Sequence, residues 1–204
     1  MVRRQIARRG IRDTAVLRAM REVPRHLFVP NAPATAAYGD GALPIGHGQT
    51  ISQPYIVAFM AEAAEIGPGE RVLEIGTGSG YGAAVLAELA GEVYTIEIVP
   101  ELAQQARDAL RRAGYDDVHV RTGNGWLGWP EHAPYDAVVV TAAPDQVPDA
   151  LVEQLAMDGM LVVPVGEWFQ TLRVLRKTDG GLREEASLSV RFVPMVAEPP
   201  DTGR

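Results

Sequence analysis

V-L-E-I-G-T-G-S-G-Y-G, Val72 to Gly82, decides the reading of this chain. An apolar run, Arg71–Ile75, enters a turn with glycines at 76, 78 and 80, and an alanine-rich helical stretch, Gly82–Ala90, follows. Strand, glycine turn and helix form the opening unit of an open α/β sheet. The turn lets backbone approach a ligand with no Cβ in the way. In the dinucleotide pattern G-x-G-x-x-G the third glycine would stand at position 81, which is Tyr81. The G-x-G-x-G spacing suits a nucleoside with an amino-acid tail better than a pyrophosphate.

Working outward, the same rhythm repeats. Val93–Ile98 reads as a second strand, and Pro100–Arg112 as a helix opened by proline and closed by Gly114. Val118–Thr122 is a third strand. Ala137–Thr141 is a fourth, rich in β-branched residues as a strand covered on both faces should be. Pro148–Leu155 reads as a helix and Met160–Val165 as a fifth strand. The residues around Gly166–Gln170 are too few for a parallel crossover, so a sixth strand, Thr171–Lys177, should run antiparallel beside the fifth. A turn at Asp179–Gly181 leads to a last strand near Ser187–Val193. The expectation is a doubly wound, mostly parallel seven-stranded α/β sheet in the order 3-2-1-4-5-6-7, with the sixth strand reversed.

Before this core lies a different segment. Asp13 is placed to cap a helix through Glu22, and Pro24 and Pro30 end regular structure. Residues 31–53 read as a long Gly/Pro-rich loop, a type that is usually functional or disordered, and a helix follows from Pro54 to about Glu65. The chain is expected to be one domain, with N-terminal helices and an active-site loop over 1–66 and the α/β core over 67–204.

Candidate ligand contacts follow from the strand ends. Glu97 closes the second strand about 20 residues beyond the first loop glycine, where a carboxylate can accept hydrogen bonds from ribose hydroxyls. Glu74 precedes the loop and is either a cofactor contact or a structural carboxylate. Gly123-Asn124-Gly125 follows the third strand; the Asn124 oxygen can accept from an adenine amino group, or the stretch is a plain turn. Trp126 and Trp129 either cover the adenine or pack beneath the loop.

Composition narrows the classes. The formal net charge is −7, against a general nucleic-acid binder, although Arg3, Arg4, Arg8, Arg9 and Arg12 cluster in a segment read as a solvated helix face. There are no cysteines, which excludes disulfides, thiol catalysis and Cys-ligated metals, and fits a reducing cytoplasm. The four histidines show no metal-ligand spacing. No apolar run is long enough to span a membrane, and no secretion signal is visible.

Several stretches together resemble one family, the protein-L-isoaspartate O-methyltransferases. They are V-P-R-H-L-F-V-P (Val23–Pro30), A-L-P-I-G-H-G-Q-T-I-S-Q-P (Ala42–Pro54), the glycine turn, G-N-G-W-L-G-W (Gly123–Trp129), T-A-A-P (Thr141–Pro144), V-P-V-G (Val163–Gly166) and V-R-F-V-P-M (Val190–Met195). The glycine turn alone would match many methyltransferases; T-I-S-Q-P and V-R-F-V-P are far more specific. The resemblance implies a Rossmann-like class I fold. It implies methyl transfer from S-adenosyl-L-methionine to the free α-carboxylate of an L-isoaspartyl residue in damaged proteins, whose ester then cyclises to a succinimide without further enzymatic help. It places the active-site serine on Ser52, the cofactor loop on Gly76, Thr77, Gly78, Ser79 and Gly80, the ribose carboxylate on Glu97, and the adenine-side motif on Gly123–Gly125. Thr50, Ile51 and Val193 are expected beside the substrate; Val193 and Pro194 either offer an edge to an extended peptide or are ordinary core and edge residues. Asn124 stands where the family usually has aspartate, and Tyr55 where many members have histidine.

The chemistry asks for little. A carboxylate nucleophile is already ionised at neutral pH, so no general base is required, and none is evident. Ser52 is best read as a positioning hydroxyl, although it also lies where it can cap the helix from Pro54. The loop before Pro54 is expected to fold over the cofactor as a lid. Partners are isoaspartyl-containing proteins and peptides, with no nucleic acid, membrane or metal, and the chain is expected to be a cytoplasmic monomer. The alternatives are methylation of an ordinary aspartate in one dedicated peptide, or a cofactor-binding module without turnover. An amino-methylating nucleic-acid enzyme is disfavoured because no [ND]-P-P-[YF] motif follows the fourth strand, and a nicotinamide oxidoreductase by the loop spacing.

Overall fold

The structure, a computed structural model, describes residues 1–29 and 31–199. Pro30, expected to end regular structure, lies outside the described residues. Six α-helices and nine strands are present among the rest. The helices are α1 (Thr14–Glu22), α2 (Ala34–Ala37), α3 (Pro54–Ala63), α4 (Tyr81–Ala87), α5 (Pro100–Ala113) and α6 (Asp149–Gln154). The strands are β1 (Leu43–Gly46), β2 (Gln49–Ile51), β3 (Arg71–Ile75), β4 (Glu92–Glu97), β5 (His119–Thr122), β6 (Tyr135–Val140), β7 (Leu155–Val165), β8 (Gln170–Thr178) and β9 (Gly181–Val190).

The seven strands from β3 onward form one sheet in the order β5-β4-β3-β6-β7-β8-β9, the order the sequence predicts. β5, β4, β3, β6 and β7 are mutually parallel; β8 runs against β7, with Met160 opposite Arg176 and Val165 opposite Thr171. β9 runs against β8 and so shares the direction of the parallel strands. Alternation of side chains sends neighbouring strand residues into two cores. Val72, Val93, Ala137, Val139 and Val162 face the helices α1, α3 and α4 and the N-terminal segment. Leu73, Ile75, Ile96, Val138, Val140 and Leu161 face Leu151 of α6 and Leu155 on the other side.

Local chemistry accounts for the main elements. Asp13 caps α1, its Oδ1 accepting from Ala15 N at 2.7 Å and Val16 N at 3.0 Å, and Val16, Ala19 and Met20 supply the buried stripe. α5 begins at Pro100 and ends on Gly114 at φ 86°, where a left-handed residue terminates the helix.

Three main departures from expectation stand out. The segment 31–53 is not all loop: it contains α2 and the antiparallel hairpin β1–β2, which turns through Gly46, His47 and Gly48, all at positive φ. Paired strands this short leave no alternation long enough to read. β7 starts at Leu155 rather than Met160, because it continues directly from α6. The last strand ends at Val190, not Val193, and the chain beyond it crosses to β6. There Ala143 N donates to Val193 O at 2.8 Å, and Met195 N donates to Ala143 O at 2.7 Å. In line with its reading as a solvated helix face, the basic segment before α1 is wound into short helical turns, Val2–Ile6 and Ala7–Arg9, anchored by the fully buried Ile6. Its arginines are exposed, and Arg9 lies over the Tyr55 ring, 3.9 Å from the centroid.

Candidate active site

In an open parallel sheet the crevice lies beyond the carboxyl ends of the strands, where the order turns back on itself. Here that point falls between β3 and β6, with β4 on the other side of β3. Gly76 leaves β3 with its N–H donating to Ile96 O at 2.8 Å. Thr141, the residue after β6, donates its hydroxyl to Gly76 O at 2.7 Å. A Cβ at Gly76 would collide with that hydroxyl, and its φ of 97° disfavours a side chain as well. Sequence and sterics therefore agree on why the first loop glycine is glycine.

Glu97 ends β4 and is nearly buried. One carboxylate oxygen accepts from Gly78 N at 2.7 Å and the other from Val99 N at 3.0 Å. Each oxygen keeps acceptor capacity for a further donor, as contact with a pair of ribose hydroxyls requires. Glu97 opens onto a cleft that it lines with Gly76, Gly78, Gly125 and Met195. A second cleft, about 550 Å³, is lined by Ser52, Ile56, Asp40 and Phe192. Thr50, Thr141 and Val193 line both. The two clefts are thus neighbours across a three-residue wall, and Ser52 opens on the same side of the sheet as Gly76 and Glu97.

The other expected contacts divide. Gly125 borders the first cleft, packed against Ile75 so tightly that a Cβ would collide with it. Asn124 spends one acceptor position on Trp126 N, at 2.9 Å, capping a short 3-10 turn. Thr77 is buried and shares a hydrogen bond of 2.7 Å with the Thr95 hydroxyl. Ser79 faces a separate hollow with Leu27, Ile45 and Gln105, and Gly80 packs on Ala106 and Leu110. None of these three lines either of the two clefts. Ile51 is buried in the β1–β2 hairpin and lines neither cleft. Ser52 does not cap α3: the capping position is Gln53, which makes no side-chain cap bond and instead donates to Asp40 Oδ1 at 2.7 Å. Trp129 packs against Tyr94, His132 and Arg121, away from both clefts.

Glu74 lies under the turn, outside both clefts. It is almost wholly buried, accepts from the Thr95 hydroxyl at 2.7 Å, and abuts Gly82 so closely that any Cβ there would collide with its Oε1. Burial raises its pKa to about 8, with the nearby Glu97 charge acting in the same direction and the Thr95 hydrogen bond against it. At neutral pH it is therefore mostly a neutral acid. Of the two readings the sequence left open for Glu74, this geometry supports the structural one.

Two contributors escaped the sequence reading. Thr141 belongs to the T-A-A-P stretch, but nothing in its composition signals that its hydroxyl ties the glycine turn to β6. Arg25, in V-P-R-H-L-F-V-P, is fully buried and donates to Ser52 O at 2.8 Å.

The family model of protein-L-isoaspartate(D-aspartate) O-methyltransferases matches residues 1–199. The chain belongs to this family. It is 57% identical to the protein-L-isoaspartate O-methyltransferase of Gloeobacter violaceus over 202 residues, 98% of each chain. It is also 57% identical to that of Picosynechococcus, over 96% of this chain and 88% of the relative. Among solved structures, a protein-L-isoaspartate O-methyltransferase superposes with a TM-score of 0.87 at 30% identity, covering 95% of this chain and 64% of that longer one. A Plasmodium falciparum protein assigned to the same activity, solved with S-adenosyl-L-homocysteine, superposes with a TM-score of 0.83 at 25% identity, covering 94% and 95% of the two chains. Members of this family are S-adenosylmethionine-dependent protein carboxyl methyltransferases, and S-adenosylmethionine is the cofactor.

Proposed function

We propose that this chain methylates the free α-carboxylate of L-isoaspartyl residues in damaged proteins, with Ser52 as the positioning hydroxyl. The observation that carries the reading is the shared wall: Thr50, Thr141 and Val193 line both the cleft of Glu97 and the cleft of Ser52. Because these residues border both clefts, a methyl donor in one and a carboxylate in the other meet where the clefts adjoin.

The residues suit S-adenosylmethionine. Gly76 and Gly78 give a Cβ-free approach, Glu97 accepts from the ribose hydroxyls, and Gly125 sits at the adenine side. The Asn124 side chain keeps an acceptor position and two donors beyond its cap bond. When bound, the cofactor supplies a methyl on a positively charged sulfur, so an O–CH3 bond forms as the S–CH3 bond breaks and a neutral thioether leaves. Ser52 orients one carboxylate oxygen of the substrate. Ile56, Phe192 and Val193 give this otherwise polar cleft one apolar side, and a bound peptide closing over it would exclude the water that would otherwise solvate the attacking oxygen. No step requires a proton to be removed.

The β1–β2 hairpin is placed to act as the lid. Ile45 lies over the turn: a Cβ at Gly78 would sit 3.5 Å from Ile45 Cδ1. The wide second cleft, lined by Arg191, Phe192 and Val193, has room for a peptide chain. We further infer that the chain acts alone as one domain, a monomer in a reducing cytoplasm without nucleic-acid partners. The lack of cysteine and the net charge of −7 support the compartment and the partner choice.

The deciding experiment is methanol release from labelled S-adenosylmethionine with a synthetic isoaspartyl peptide, run beside its aspartyl twin. Turnover confined to the isoaspartyl peptide is the expected result. Turnover of the aspartyl twin instead would redirect the activity to a dedicated substrate, and cofactor binding without methanol release would make the chain a binding module.

A further inference from the structure

V-P-R-H-L-F-V-P places an arginine where helix propensity and hydropathy offer no reason for one. Arg25 is fully buried. Its Nε donates to Ala37 O at 2.7 Å and its Nη2 to Ser52 O at 2.8 Å. The guanidinium carbon lies 4.6 Å from the centroid of the Tyr81 ring, on the first residue of the helix that leaves the glycine turn. Nη1 is buried with no hydrogen-bond partner. Among the described residues no carboxylate comes within 4.0 Å of its nitrogens, and the ionisable groups that act on it are only Tyr81 and Tyr38.

Taking a guanidinium out of water without an anion is expensive, and bonds to two carbonyls together with the face of the Tyr81 ring offset this only partly. Burial lowers the pKa of Arg25, yet a guanidinium starts so high that it stays charged at neutral pH. A strut between Ala37 and Ser52 requires donors, not a charge. The cation sits directly behind the one residue proposed to meet an anion.

We propose that Arg25 is a positioning residue for the reaction: it locks the Ser52 backbone against the helix that follows the glycine turn, and its uncompensated charge favours an ionised carboxylate at Ser52. The free enzyme thus holds a buried cation whose counter-ion is the substrate. This rests on the methyl-transfer reading above and adds the origin of carboxylate selectivity to it. Ser52 supplies the directional contact, and Arg25 supplies the field that a neutral amide or ester cannot satisfy. The same field disfavours rebinding of the methylated product, which is uncharged at that oxygen.

Two variants separate charge from hydrogen bonding. Arg25→Gln keeps an N–H donor without charge; Arg25→Lys keeps the charge but cannot reach both carbonyls from one planar fork. Each is measured for cofactor affinity by calorimetry, for kcat and KM with an isoaspartyl peptide, and for binding of that peptide against its carboxamide twin with S-adenosylhomocysteine present. The wild type should prefer the carboxylate peptide, as loss of a charge-assisted contact predicts, by about tenfold or more. Arg25→Gln should lose that preference and raise KM by a similar factor, while Arg25→Lys retains most of it, and cofactor affinity should stay within about twofold in both. Equal losses in the two variants, or a loss confined to the cofactor, would overturn the proposal and leave Arg25 a strut. Should Arg25→Gln fail to fold, an Arg25→Lys variant that binds the two peptides equally overturns it as well. A wild type that turns over no isoaspartyl peptide fails the functional reading instead, and that outcome is visible before any variant is made.

Discussion

Among the described residues, the Ser52 hydroxyl makes no hydrogen bond to another side chain, and the carboxylate proposed to meet it needs no base. Removing that hydroxyl should therefore cost alignment, not fold. Ser52→Ala is expected to lower kcat/KM for an isoaspartyl peptide roughly a hundredfold, the scale of a misplaced reacting group. Its unfolding free energy should stay within about 0.5 kcal/mol of wild type and its cofactor affinity should be unchanged, as denaturant titration and calorimetry would show. Glu74 makes the opposite kind of prediction, one of stability. Its folded pKa, raised to about 8, lies well above that of an unfolded glutamate. The folded state therefore holds a proton that the unfolded state has lost, so this contribution is fully present below pH 4 to 5. It declines as pH rises and is gone by about pH 8, amounting to a few kcal/mol over the window. Glu74→Gln keeps an acceptor for Thr95 and cannot ionise. Its unfolding free energy should fall less steeply with pH between about 5 and 8, measured by urea titration at several pH values; parallel curves for the two proteins would show that Glu74 is not the source.

At the scale of elements, the sheet was legible and the hairpin inside the expected lid was not, and the difference is one of length. Ala137–Thr141 reads as a buried strand because nearly every residue is β-branched, and the short link around Gly166–Gln170 forces the reversal of β8 by chain reach alone. Leu43–Gly46 and Gln49–Ile51, four and three residues long, are too short for a period to emerge. That hairpin supplies the one prediction about motion. With Ile45 lying over Gly78, cofactor binding should slow hydrogen exchange of the amides in 43–51, while β3 and β6 change little. Equal protection throughout the chain would mean that the hairpin does not close as a separate unit. Arg25 and Thr141 were illegible for a different reason. An arginine or threonine is an ordinary surface residue in any pattern of hydropathy, and only three-dimensional placement shows that one is buried behind Ser52 and the other tied to the glycine turn. Glu97 was readable because a strand end at a fixed distance from the loop is a position, not a composition.

For the whole molecule, the surface holds a feature outside the proposed chemistry. Trp168 and Phe169, at the β7–β8 turn, are 87% and 94% exposed. Having almost no contact area to lose, they should contribute little to folding. Replacing both by serine is expected to leave the unfolding free energy within about 0.5 kcal/mol and to raise solubility, checked by thermal melting and by sedimentation at high concentration. A larger loss of stability would show that they are covered in solution, and hence that the chain is not a monomer. The path of the chain around the clefts has a temporal consequence as well. The glycine turn at 76–80 is built from the first half of the sequence, but the wall that separates the two clefts requires Val193, held by Ala143. A ribosome delivers these parts in order, so a growing polypeptide owns the glycine turn long before it owns the segment that completes the proposed substrate cleft. Methylation competence therefore arrives in one step, only when the segment carrying Val193 has been made and has docked on Ala143.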